Sequence, residues 1–183
     1  MRIKGIVAYR GTAYNGWQKQ VNDRTIQGEI EKALKYINND KDTKFTSSGR
    51  TDKGVSAYMQ VGSCDISVKI TPYKLKRALN SLLPNTIHII DVKEVSSDFH
   101  PRYMLKEKTY IYKINMGEYN PIEKDYVNQL CKKLDVKLIE KEIKDFIGTH
   151  DFSAFCSNED KKEDTVRTIF DVSVKEDNDY LIL

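Results

Sequence analysis

The chain is poor in the residues that metal and cofactor chemistry uses. It has three histidines and three cysteines among 183 residues, and Cys64, Cys131 and Cys156 stand far apart. They fit neither a zinc-ligand pattern nor a disulfide framework, and free thiols of this kind suit a reducing compartment, so a cytoplasmic location is expected. His150-Asp151 is the one pair that invites a metal reading. No further histidine or acid stands at ligand spacing from it, so no metal is expected. Phosphate-loop motifs are also missing, and with them any reason to expect a nucleotide cofactor. No apolar run approaches the roughly 20 residues a bilayer crossing needs, so no membrane role is expected. The first alternating stretch, 3–9, is too short and too regular for a signal peptide.

What is present describes an ordinary water-soluble fold. Apolar residues make up 39% and charged residues 31%, enough for one good core or two small packed lobes. The net charge of +3 is weak, but Lys69, Lys74, Lys76 and Arg77 crowd one stretch and Arg102, Lys106, Lys108 and Lys113 another. Such clusters serve phosphate backbones and solvated faces equally well.

Periodicity organises the first half. Residues 3–9 alternate as a strand and break at Arg10-Gly11-Thr12. Ile26, Ile30, Ala33, Leu34 and Ile37 fall on one face of a helix over 25–38. Strands follow at 44–48 and 57–66. Thr71-Pro72 then opens a second helix, with threonine as cap and a stripe of Leu75, Leu79, Leu82 and Leu83. Residues 86–95 return as a strand. The order β-α-β-β-α-β is the ferredoxin-like arrangement. RNA-recognition modules share it, but their aromatic strand motif is absent. Beyond it the pattern predicts a strand over 108–114 with Tyr110 and Tyr112 on one face, Tyr112 in a half-buried stripe. Helices are expected over 122–134 and 136–148, a strand over 165–175, and another from Tyr180. Residues 1–100 and 101–183 are the expected lobes.

Between the strands at 44–48 and 57–66 lies Ser48-Gly49-Arg50-Thr51-Asp52-Lys53-Gly54-Val55. Glycines bracket a cation and a carboxylate. If the piece is extended, side chains two apart share a side, so Arg50 can hold Asp52. A carboxylate kept ionised on such a loop suits a nucleophile or general base. The same spacing also describes a surface turn with an ion pair. Tyr14 and Trp17, near Gly11 and Gly16, read either as a stacking surface for bases or as a loop tacked down by aromatics. His100, before Pro101 in a turn, reads as a general base or as a hydrogen-bonded structural residue.

The stretch Ser48–Ala57 resembles the active-site segment of the tRNA pseudouridine synthase A (TruA) family, usually Gly-Arg-Thr-Asp-Ala-Gly-Val-His-Ala, with departures at Lys53 and Ser56. The opening Tyr9-Arg10-Gly11-Thr12-Ala13-Tyr14-Asn15-Gly16-Trp17-Gln18 resembles that family's Tyr-Asp-Gly-Thr-x-Tyr-x-Gly-Trp-Gln, with Arg10 in place of the acid. Further phrases agree at Leu79-Asn80-Ser81-Leu82-Leu83-Pro84, Lys108-Thr109-Tyr110-Ile111-Tyr112 and Gly148-Thr149-His150-Asp151-Phe152.

The resemblance implies an α+β pseudouridine synthase fold: a ferredoxin-like lobe followed by an incomplete second α+β lobe, with a mixed, mainly antiparallel sheet. It implies tRNA as partner, uridine isomerisation in the anticodon stem-loop, no cofactor, and a homodimer for the full-length family. Asp52 would be the catalytic aspartate, Tyr110 would lie against the target uracil, and Arg50 would contact the flipped nucleotide. The family pattern continues with Gly-Phe-Leu-Tyr-x-Met-Val-Arg after the point where this sequence stops at Leu183. A truncated chain is therefore expected, with a last strand lacking flanking partners and little or no activity. The rival reading is an inactive RNA-binding fragment of the same fold; a small-molecule enzyme using Asp52 has less to support it.

Overall fold

The computed structural model describes residues 1–156 and 165–183. The chain divides into two compact units, Met1–Lys108 and Thr109–Leu183.

In the first unit, β1 (Arg2–Tyr9) alternates strictly, burying Ile3, Gly5, Val7 and Tyr9 while the residues between them are only partly covered. The apolar period of two therefore selects a single covered face. Helix α1 (Ile26–Ile37) buries Ile26, Ile30, Ala33 and Leu34, and the Thr25 hydroxyl accepts from the Gly28 N–H at its start. Strands β2 (Thr46–Ser47) and β3 (Ala57–Asp65) follow, then α2 (Pro72–Leu82), capped by Thr71 and opened by proline as its sequence demands. The unit closes with β4 (Ile87–Val95). The sheet order is β2-β3-β1-β4, all neighbours antiparallel, which is the ferredoxin-like topology expected. One cluster of buried side chains fills this unit, from Ile3 and Val7 through Leu34, Leu75 and Ile89.

Two details depart from expectation. Leu82, assigned to the apolar stripe, is 45% exposed. The helix ends there, and Leu83 turns into extended backbone and takes the inner place instead. Asn80 is more than part of a core phrase: its amide both donates to the Ile89 carbonyl (3.0 Å) and accepts from the Ile89 N–H (2.8 Å), fastening α2 to β4.

The second unit departs further from the sequence pattern. Its four-stranded sheet runs β6-β5-β10-β9, from β5 (Lys113–Asn115), β6 (Asn128–Gln129), β9 (Lys175–Asp177) and β10 (Tyr180–Ile182). The expected helix over 122–134 is absent. Ile122 and Tyr126 point to solvent, and turns lead into β6. Polar side chains hold this path: the Asn115 amide donates to the Glu118 carbonyl and to Gln129, and Gln129 accepts from the Asn120 N–H. A side chain that satisfies backbone groups locally competes with helix formation. Helix α3 (Val136–Glu142) forms with Asp135 as its cap, then tightens into a 3-10 turn over Ile143–Phe146.

The strand expected over 108–114 shrinks to β5. Tyr110 and Tyr112 precede it, at 66% and 63% exposure, so Tyr112 belongs to no half-buried stripe. The strand expected over 165–175 shrinks to β8 (Val166–Ile169), and β9 starts only at its last residue, Lys175. β8 pairs with β7 (Gly148–Asp151) in an isolated ribbon. Val166 is exposed because a two-stranded ribbon buries neither face by itself, and Phe170, just past the end of β8, is exposed as well. β10 does not lack neighbours, contrary to expectation: it pairs with β5 on one side and β9 on the other. Of the apolar side chains here, Met116, Val127 and Leu181 are buried among the described residues.

Candidate active site

The candidate loop leaves β2 at Ser48 and rejoins the sheet at Ala57. At its start the Ser48 N–H donates to the Val61 carbonyl (2.8 Å), and the Gly49 carbonyl accepts from the Ser47 hydroxyl and the Gln60 amide. Beyond these anchors the chain moves away from the sheet, and Arg50 and Asp52 are exposed. The Lys108 ammonium comes down on Gly49, 2.9 Å from where a Cβ would stand.

The segment 10–18 holds the loop from below. The Trp17 N–H donates to the Thr51 carbonyl (2.9 Å), and the Tyr9 and Thr51 hydroxyls share a hydrogen bond of 2.8 Å. Gly16, at φ +78, packs so closely that a Cβ would lie 2.8 Å from the Thr51 oxygen. A left-handed backbone in van der Waals contact with another backbone leaves room only for glycine. At the far end the Gly11 N–H donates to the Ser56 hydroxyl (3.0 Å), and Gly54 N–H reaches the Tyr14 carbonyl (3.4 Å). Inside the loop, Val55 N–H closes a turn onto the Asp52 carbonyl (3.2 Å). The result is a carboxylate displayed to solvent on a loop whose two flanks are fixed.

Tyr14 and Trp17 are each 2% exposed, so they are the supports of this loop and offer no stacking surface. Trp17 packs between Tyr9 and Phe45, with ring centroids 5.6 and 6.2 Å apart, and the Tyr14 hydroxyl bonds that of Thr86 at 2.6 Å. Burial pushes the Tyr9 phenol above its ordinary range, against a smaller opposing effect of the Thr51 bond. Tyr9 therefore keeps its proton.

The expected ion pair between Arg50 and Asp52 is not formed. Among the described residues the ion pairs lie elsewhere, as at Arg2–Asp65 and Arg24–Glu29. Both side chains point to water, which rewards a close pair little. His100 is structural in its turn: its Nδ1 accepts from the Arg102 N–H (3.3 Å) and its ring lies 4.4 Å from that of Tyr103. Asp151 binds Ser153 and Thr165, and His150 bonds the Ile147 carbonyl, so both serve local loop structure. Tyr110 lies in the second unit, exposed and outside any strand. The supporting roles of Tyr9, Gly11, Thr51 and Ser56 are not legible in the sequence: both glycine-containing motifs carry these residues, but nothing in linear spacing says that one motif lies under the other.

A family model described as tRNA pseudouridine synthase matches residues 6–104 and 143–182. The chain belongs to the tRNA pseudouridine synthase family. The match takes in the whole loop and the segment that clamps it, while Tyr110 falls between the matched stretches. Curated relatives carry the name tRNA pseudouridine synthase A. That of Caldicellulosiruptor saccharolyticus is 43% identical over 178 residues, covering 97% of this chain and 72% of its own. That of Streptococcus uberis is 41% identical, covering 99% and 74%, and that of Anoxybacillus flavithermus is 39% identical over the same shares. Members of this family isomerise uridine to pseudouridine, a reaction that needs a positioned acid or nucleophile at the base and sugar.

Proposed function

We propose that this chain isomerises uridine in the anticodon stem-loop of tRNA to pseudouridine, with Asp52 as the catalytic residue. The observation that carries the reading is the exposed Asp52 carboxylate on a loop clamped at Thr51 and Ser56 by the segment beneath it. The reaction breaks the N-glycosidic bond, turns the uracil ring, and rejoins it through carbon, so substrate and product are isomers and no co-reactant is consumed. The uridine must first leave its stack. Asp52 then attacks ribose C1′, attacks the base at C6, or removes a ribose proton; each route needs the ionised carboxylate. Arg50, exposed and without an ion-pair partner among the described residues, contacts the flipped nucleotide or its phosphate. Tyr110 packs against the uracil and keeps it bound while it is free of the sugar. In this reading the first unit carries the catalytic loop, the working location is the cytoplasm, and the full-length family member acts as a homodimer, with light scattering deciding the state of this chain.

The test is incubation with a tRNA transcript followed by carbodiimide-dependent primer-extension stops. Asp52→Asn should lower turnover at least about a thousandfold, ~4 kcal/mol of barrier, while RNA binding persists. Substantial turnover by the mutant removes Asp52 from the mechanism. Binding without turnover by the wild type makes the chain an RNA-binding member of the fold.

A further inference from the structure

Among the described residues Asp52 has no side-chain hydrogen bond or ion pair to hold it, so it takes its position from the backbone. That backbone is fixed most firmly one residue earlier. Thr51 is gripped twice, its carbonyl by the Trp17 N–H at 2.9 Å and its hydroxyl by the Tyr9 phenol at 2.8 Å. Both partners are parts of the core. Tyr9 is the last residue of β1 and 5% exposed, Trp17 is 2% exposed, and their rings pack against each other. Gly16 presses on the same backbone from below and prevents retreat toward the core. The carbonyl contact fixes where the strand of the loop passes. The hydroxyl contact adds a second point on the same residue, which fixes its rotation and so the direction in which the next side chain leaves.

We infer that the Tyr9–Thr51 hydroxyl pair is a positioning device that sets the direction of the Asp52 carboxylate before RNA arrives. The inference rests on Asp52 being the catalytic residue. Tyr9 is a positioning residue and does not exchange protons with substrate: burial holds its phenol protonated, and its oxygen is engaged with Thr51 beneath the loop. Productive geometry tolerates displacements well under an ångström. A loop with exposed Asp52 and Lys53 at its tip gets no such precision from burial of the tip itself. Ser56 supplies a second anchor from the other end, where its hydroxyl accepts from the Gly11 N–H.

The experiment compares Tyr9→Phe, Thr51→Val, their combination and Thr51→Ser in the full chain, with two readouts. The first is the single-turnover rate of pseudouridine formation beside the RNA dissociation constant. Tyr9→Phe and Thr51→Val should each slow the rate about tenfold, with RNA affinity unchanged, the pair of substitutions together being no worse than either alone. Thr51→Ser, which keeps the hydroxyl, should retain the rate. The second readout is the NMR order parameter of the Asp52 and Lys53 amides in the RNA-free protein, which should fall in Tyr9→Phe and Thr51→Val and hold in Thr51→Ser. Unchanged rates, unchanged order, or additive losses each overturn the inference. If the wild type makes no pseudouridine, the functional reading fails, and the order parameters alone decide the positioning device. A residue that merely stabilised the fold would lower the melting temperature while leaving rate and order alone at lower temperature, and that result also overturns it.

Discussion

Replacing Gly11 with alanine drives a methyl group into the backbone of the candidate loop. A Cβ there would lie 1.9 Å from the Val55 carbonyl oxygen, 2.5 Å from its carbon and 2.9 Å from the Gly54 carbonyl carbon, where ordinary contact begins near 3.4 Å. Gly11 cannot easily withdraw, because it is buried and its neighbour Arg10 is tied by its N–H to the Thr86 carbonyl at 2.9 Å. The loop must therefore yield by on the order of 1.5 Å, since a packed interior holds no spare volume. Overpacking of this kind costs about 1–3 kcal/mol, and the upper end applies because the obstacle is main chain. Displacement of the loop also pulls Ser56 from its bond with the Gly11 N–H, adding about 1 kcal/mol. A shift of ~1 Å at Asp52 should slow turnover about a hundredfold. Gly54→Ala is the comparator. Gly54 sits at φ +83 with no described atom beyond its chain neighbours within 4 Å of its Cβ position, so its cost is left-handed strain of roughly 1–2 kcal/mol without a collision. Denaturant unfolding and single-turnover pseudouridine assays on both variants check the difference. If Gly11→Ala loses no more stability and no more rate than Gly54→Ala, the clamp described above is wrong.

Tyr110→Ala should weaken the productive complex by roughly 1–3 kcal/mol while Tyr110→Phe keeps the stacking share of that; equal turnover of alanine and wild type would make Tyr110 an ordinary surface residue. Burial pushes the Cys64 thiol from 9.0 up to about 12, so the folded chain keeps a proton that the unfolded chain releases. The stability tied to that proton is complete below about pH 9 and is lost as pH rises through about 12, on the order of 4 kcal/mol, and urea titrations of Cys64→Ala should lose that alkaline slope. Thr25→Ala removes the acceptor for the Gly28 N–H at the start of α1 in a position only 1% exposed, and should cost ~1 kcal/mol, read as a lower unfolding midpoint with unchanged slope.

The sequence by itself determined the first unit and the family. Its first strand and its two helices each bury one face, so the apolar period of β1, the stripe of α1 and the Thr71-Pro72 start of α2 report their own conformation. The loop at 48–56 was legible for a similar reason, since glycines and charges between two strands leave few other arrangements. The second unit was not legible in this way. Among its described residues few apolar side chains are buried, so apolar spacing at Ile122, Tyr126 and Phe170 carried no information about burial, and side-chain hydrogen bonds from Asn115 and Gln129 set the path instead. The site divides along the same line. That Asp52 stands on a glycine-bracketed turn is a local fact, written in consecutive residues. That Tyr9, Trp17 and Gly16 hold Thr51 beneath it is a fact about segments some 40 residues apart in the chain. Only the pairing of β1 with β3 brings the end of one strand against the loop that leads into the other, and that pairing is fixed by the whole sheet and its buried face.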